Sequence, residues 1–215
     1  MSKILSQENI EHMASLAFKN GLKIHNDSIV LFNNKSYSTA YFLSVLAIEE
    51  FGKVQLLDDL YYHNNINDYP TSLDEEKKFL RQIYNHRTKQ SYFLQNTVSF
   101  NEHNNVYKEI EIGAMEILKQ NALYVGLRKL DKEIVFSKNI INPSRHNKSK
   151  TRDLITLVND QVIIDCYMVI NEFGGYDIES VNKHLNSKLL KEFEWTWPLK
   201  SENAKKKINE LLEAI

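Results

Sequence analysis

Tyr41-Phe42-Leu43-Ser44-Val45-Leu46-Ala47-Ile48-Glu49-Glu50-Phe51-Gly52-Lys53 is the most apolar stretch of the chain. Its apolar residues cover every face of a helix, so this helix belongs at the centre of a bundle, wrapped by others. The run is far shorter than the about 20 apolar residues that a membrane-spanning helix needs. Two carboxylates close it. On a helical wheel Glu50 shares a face with Leu43, Leu46, Ala47, Val54 and Leu57, which predicts a buried carboxylate held by a cation from a neighbouring helix. His86 and Lys89 are the expected partners. Glu49 stands four residues before Lys53 and is expected to pair with it along the surface. Gly52 costs about 1 kcal/mol in mid-helix relative to Ala, and close packing of another helix is the reason expected for it.

Outward from this segment the sequence stays helical. Six Gly and three Pro in 215 residues are too few for a sandwich or barrel. Ile10, Met13, Ala17, Gly21 and Ile24 form an amphipathic stripe after Ser6, predicting a first helix to about Leu31. Ser36 caps the central helix, which runs to about Tyr62. Ser72-Leu73-Asp74-Glu75 is a capping box that opens a third helix, with Phe79, Ile83, His86, Gln90 and Phe93 as its core stripe. A fourth is expected over about 106–120. Residues 123–149 read as one long irregular connection, with a short hairpin pairing 123–125 with 134–136. A fifth helix over about 151–173 stops at Gly174-Gly175, and shorter helices follow near 178–193 and 202–214. The expected architecture is an all-α antiparallel bundle in one domain, with a core over 1–173 and a helical extension over 174–215.

Charge and cysteine content narrow the partners. Twenty-seven basic and 28 acidic residues give a net charge of −1, so any nucleic-acid surface must be local. Cys166 is the sole cysteine, which forbids an internal disulfide and suits the cytoplasm. The start of the chain turns polar after Ile4 and Leu5, unlike a secretory signal. No membrane partner is expected.

Two groups of residues carry possible chemistry. Arg81 and His86 are separated by four residues. A neutral imidazole can take a proton from an RNA 2′-hydroxyl while a guanidinium neutralises the attacked phosphate, and no metal is required. On one continuous helix the two side chains lie about 140° apart, so a shared phosphate needs either a curled Arg81 or two subunits. The second group is a basic segment, Lys138, Arg145, His146, Lys148, Lys150 and Arg152, in a stretch free of acidic residues between Glu133 and Asp153. It suits sequence-independent phosphate contacts, as a candidate RNA-binding loop. Glu49, Glu50, Lys53 and Lys89 form a candidate polar network between the second and third helices, which is equally well a structural one. There is no Walker loop, no Gly-rich dinucleotide turn and no cysteine-rich zinc site, and no metal or other cofactor is expected. Trp195-Thr196-Trp197-Pro198 reads as an aromatic lock for the C-terminal segment.

Taken in order, Ser38-Thr39-Ala40-Tyr41, Ala47-Ile48-Glu49-Glu50-Phe51-Gly52-Lys53, Asn85-His86-Arg87-Thr88-Lys89 and Ala122-Leu123-Tyr124-Val125 resemble the AbiV family of abortive-infection proteins. The resemblance spans about residues 10–145. It implies the HEPN superfamily: a helical bundle that often dimerises, a role in bacterial defence against phage, and, in many members, metal-independent endoribonuclease activity through an Arg-x(4–6)-His motif. Here that motif falls on Arg81 and His86. Gln82 departs from the Asn, Asp or His frequent after the Arg, and Gly126 departs from the acidic residue frequent after Leu-Tyr-Val. The expected function is phage defence by cleaving or binding RNA. The alternative is a non-catalytic helical protein that recognises a phage or host protein. The apolar first and second helices further predict a homodimer.

Overall fold

The computed structural model describes residues 5–66, 72–97, 104–126, 129–130, 133–134, 140–143 and 147–214. Helix α1 (Gln7–Asn33) starts where the Ser6 hydroxyl accepts a hydrogen bond from the Asn9 amide. It turns through Asn34–Ser36, with Lys35 at φ 64°, into α2 (Tyr37–Ile66). These two form a long hairpin. Gly21 lets α1 approach the Phe51 ring, which a Cβ there would meet at 3.1 Å. Helices α4 (His86–Gln95) and α7 (Lys148–Ile170) cover other faces of α2, and the central position expected for α2 is observed. Phe18 of α1, Ile48, Val54 and Leu57 of α2, Phe93 of α4, and Val158 and Val162 of α7 are buried in one cluster.

Several expected boundaries move, each for a local reason. The third helix is two helices. Helix α3 (Leu73–Ile83) keeps its capping box, but Tyr84 and Asn85 break the spiral, and the Asn85 side chain accepts from Thr88 N to start α4. An N-cap side chain competes with helical continuation, a signal overlooked in the apolar stripe. The fourth helix also divides, into α5 (Asn104–Glu111) and α6 (Ala114–Asn121), at Gly113 with φ 74°. The hairpin differs in register. Strands β1 (Lys129–Leu130) and β2 (Glu133–Ile134) pair, and Gly126 bridges Ile141. The amides of Leu123 and Tyr124 instead bond back to Gln120 O, prolonging the end of α6. Residues 135 and 136 lie outside the described residues.

The C-terminal helices α8 (Glu179–Asn182), α9 (Ser187–Thr196) and α10 (Glu202–Glu213) join the same core through Val181, Phe193 and Ile208. Of the two tryptophans only Trp197 acts as a lock. It is buried against Ile29 and Ile155 and donates from its indole to Thr156, whereas Trp195 is exposed. No helix among the described residues is long and apolar enough to cross a membrane.

His25 of α1 is fully buried, stacked on Phe193 with ring centroids 5.3 Å apart. Burial pushes its pKa down to about 4, against the opposing hydrogen bond to Asn159. The unfolded chain therefore binds more protons than the folded one between about pH 4 and 6.5, and stability is lost as pH is lowered through that window. This histidine should contribute a loss of about 2 kcal/mol between pH 7 and pH 5. Urea denaturation of wild type and His25→Phe at both pH values should show the gap between them narrowing, or reversing, in wild type's disfavour as pH drops.

Candidate active site on helices α2, α4 and α6

Glu49 is 2% exposed, and three helices converge on it. Its Oε2 accepts from His86 Nδ1 at 2.6 Å, and Lys89 Nζ lies 3.6 Å away, both from α4. Its Oε1 accepts from Gln90 Nε2 at 2.8 Å and from Lys119 Nζ of α6 at 2.9 Å. The expected assignment of the two carboxylates is thus reversed. Glu50 pairs with Lys53, at 2.9 and 3.0 Å, on a half-buried strip. Of the five apolar neighbours that suggested burial for Glu50, Leu43 and Leu46 lie on that same half-buried strip, while Ala47, Val54 and Leu57 are buried. The inward face is Val45, Glu49, Gly52 and Leu56.

Gly52 is what allows this face to work. A Cβ there would overlap the Lys89 carbonyl oxygen and lie 2.7 Å from its carbon. Backbone therefore meets backbone where α2 crosses the first turns of α4, as its placement in mid-helix predicted. That crossing puts His86, Lys89 and Gln90 over Glu49, three residues before the glycine.

Lys119 and Glu116 complete the site. Lys119, 5% exposed, lies 2.6 Å from Glu116 as well as against Glu49. Neither residue was singled out in the sequence. A signal existed: Met115, Lys119 and Ala122 share one stripe of α6, and a lysine on an apolar stripe requires a buried anion. Burial pushes the Glu49 pKa up, but the hydrogen bonds from His86 and Lys119 and the lysine's charge outweigh it, and the net shift is downward. Burial lowers the Lys89 pKa despite Glu49 nearby, whereas for Lys119 the two carboxylates overcome burial and raise it. Single oxygen or nitrogen atoms of Glu49, His86 and Glu116 lie within 4.8 Å of one another, a spacing that can hold a metal ion. The Lys119 ammonium already lies against both carboxylates and supplies their countercharge.

His86 is not a core residue. Its side chain is 53% exposed, because it opens α4 instead of continuing the stripe of α3. An ionised carboxylate only accepts, so Nδ1 carries the hydrogen, and in the neutral ring the lone pair then resides on outward Nε2. That is the arrangement of an oriented general base. Arg81 sits exposed in the last turn of α3 with no hydrogen bond or ion pair among the described residues, and nothing joins it to His86. The pair flanks a break between helices, so the separation calculated for one continuous helix does not apply. Beside them runs a groove of about 520 Å3 lined by Met13, Leu16, Glu50, Lys53 and exposed Tyr84.

In the basic segment, Lys138, Arg145 and His146 lie outside the described residues. The other three have local partners. Lys148 lies over the Tyr37 ring, Lys150 pairs with Glu109, and Arg152 binds Asp153 and Ser149. Glu109 comes from α5, an anion that the linear stretch did not contain.

The family model for AbiV, of the HEPN group, matches residues 9–163. No curated protein and no solved structure matches the chain significantly.

Proposed function

The chain belongs to the AbiV family of HEPN proteins, and from that premise we propose that it acts in bacterial defence against phage by metal-independent cleavage of RNA at Arg81 and His86. The observation that carries the reading is the 2.6 Å hydrogen bond from His86 Nδ1 to buried Glu49 under a half-exposed imidazole. In the proposed step Nε2 takes the proton of a 2′-hydroxyl, the oxygen attacks the adjacent phosphorus, and the bond to the 5′-oxygen breaks. The departing oxygen receives a proton from an imidazolium, and a cyclic phosphate remains. Arg81 offsets the charge that builds on the phosphate oxygens. Glu49 holds the ring orientation and touches no substrate. Two copies meeting along the groove at Leu16 and Tyr84 would bring Arg81 of one protomer toward His86 of its partner. This dimer is part of the proposal.

Exposed Leu16 and Tyr84, which line the same groove, favour a second reading, in which the surface recognises a phage or host protein and no RNA is cut. Incubating purified protein with RNA in excess EDTA separates the two. Cleavage is expected, with His86→Ala and Arg81→Ala each slowing it by about 100-fold; Arg81→Ala should melt like wild type, whereas His86→Ala takes a hydrogen bond from buried Glu49 and should melt lower while remaining folded. Both side chains are exposed, so folding should survive. Intact phage restriction by both variants, with no RNA cleavage by wild type, would refute the ribonuclease reading and leave the second.

A further inference from the structure

Trp195 stands on the outer face of α9 and is 86% exposed, the most solvent-accessible large apolar side chain among the described residues. Packing does not account for it, since Trp197 two residues on is the buried lock. One exposed apolar side chain is ordinary, and its neighbours on the helix decide its reading. On an ideal helix Lys188, Lys191 and Trp195 fall within an arc of about 60°, opposite buried Phe193, and span about 10 Å of the axis. All three are exposed.

The independent observation is charge. The ammonium groups of Lys188 and Lys191 have no ion pair or hydrogen bond among the described residues, whereas Lys183 and Lys200 on either side pair with Glu179 and Glu194. Both carboxylates of α9 lie off the arc and are engaged. Glu192 accepts from Asn26 Nδ2 at 3.2 Å, and Glu194 from Lys200 Nζ at 2.9 Å. The exposed indole therefore shares its face with two uncompensated positive charges.

We propose that this face of α9 binds single-stranded RNA, with a base stacked on the Trp195 ring and neighbouring phosphates held by Lys188 and Lys191. Every base has a π-face and every strand has phosphates, so the contact is independent of sequence. A protein partner fits less well, because lysine is depleted in protein interfaces and this arc holds two beside its single aromatic. A duplex fits less well too, since its bases are stacked on one another and only an unpaired base is free to cover the indole. That the strand is RNA rests on the ribonuclease reading, whereas the stacking and the phosphate contacts do not.

Helix α1 lies between this face and the groove beside His86. Its Leu16 and Asn20 line the groove, and on its other flank Ser15 and Asn26 bond to His184 and Glu192. Exposed Lys19 stands between those flanks and likewise has no ion pair among the described residues. A strand crossing α1 meets this third ammonium on its way from the groove to Trp195, so the α9 face holds the substrate at a distance from the bond that is cut.

Fluorescence anisotropy on the full-length protein, with a labelled single-stranded RNA whose 2′-O-methyl groups block cleavage but keep bases and phosphates, tests the assignment. Trp195→Ala should weaken Kd about tenfold and leave the salt dependence alone. The double variant Lys188→Gln, Lys191→Gln should instead reduce the slope of log K against log salt by about 1.4, at about 0.7 for each phosphate released. A duplex of the same sequence should bind wild type and Trp195→Ala alike. The substituted side chains are exposed, so melting temperatures should match wild type. Equal Kd values for wild type and Trp195→Ala on the single strand, or an unchanged salt slope in the double variant, would overturn the assignment. So would a change in mass by light scattering for Trp195→Ala with RNA affinity intact, which would make the face an interface between copies of the chain. Because this RNA cannot be cut, Trp195-dependent binding without cleavage of natural RNA would refute the ribonuclease reading alone.

Discussion

Glu49→Ala should destabilise the chain by about 3–5 kcal/mol, because it removes the anion that two buried ammonium groups and a buried amide share. Lys89 and Lys119 are 6% and 5% exposed and cannot reach water without moving α4 or α6. Lys119 would keep Glu116, whereas Lys89 would lose its buried carboxylate partner. For a chain of this size the loss corresponds to a fall in Tm of roughly 6–20 °C. Chemical denaturation of Glu49→Ala and Glu50→Ala side by side is the measurement. Among the described residues Glu50 holds only Lys53, on a half-buried strip, and its loss should cost no more than about 1 kcal/mol. Equal effects would mean that the inward face of α2 has been misassigned. The depressed Glu49 pKa adds a sign check. Its contribution is complete above the ordinary carboxylate range and is lost as pH falls through the lowered folded value, so the gap between Glu49→Ala and wild type should shrink in strong acid.

Gly52→Ala is expected to be nearly as damaging, through packing instead of charge. The added methyl group meets the Lys89 backbone carbonyl, which cannot swing aside as a side chain could, so α4 must withdraw from α2. A cost of about 3 kcal/mol follows from overpacking at such a contact. Ala's better helix propensity, about 1 kcal/mol, offsets only part of it. The displacement also carries His86 away from Glu49, so RNA cleavage should fall together with stability. Gly21→Ala provides the control: its Cβ meets the Phe51 ring at 3.1 Å, a side chain able to shift by a few tenths of an ångström. Near-neutral behaviour is expected there. If Gly52→Ala melts like Gly21→Ala, the close crossing of α2 and α4 is not what holds the site together.

What could be read in the chain and what could not follows the reach of each interaction. Helix α2 was legible because its apolar residues leave no polar face, and that alone forces it to the centre. The capping box of α3 was legible because a cap is a bond between residues three apart. The glycine in mid-helix pointed to a close crossing because no local benefit explains its propensity cost. Family resemblance was carried by ordered landmarks, and the match over residues 9–163 bears it out.

The identity of the buried carboxylate was not legible. Glu49 and Glu50 are adjacent, both have apolar neighbours at helical spacing, and two of the residues by which the wheel favoured Glu50, Leu43 and Leu46, are themselves only half-buried. Which of them is buried depends on where α4 crosses, a fact about helices 30 or more residues apart in sequence. Lys119 is farther still, 70 residues from Glu49, and enters only when α5 and α6 fold back at Gly113. The basic segment looked uncompensated because Glu109 reaches Lys150 through space. Periodicity and capping are decided within a helical turn or two, so the sequence by itself determined the helices, the central one and the need for a buried counterion. Pairing of charges is decided by desolvation at a contact between distant segments, and so the tertiary structure alone chose Glu49 and held His86 upon it.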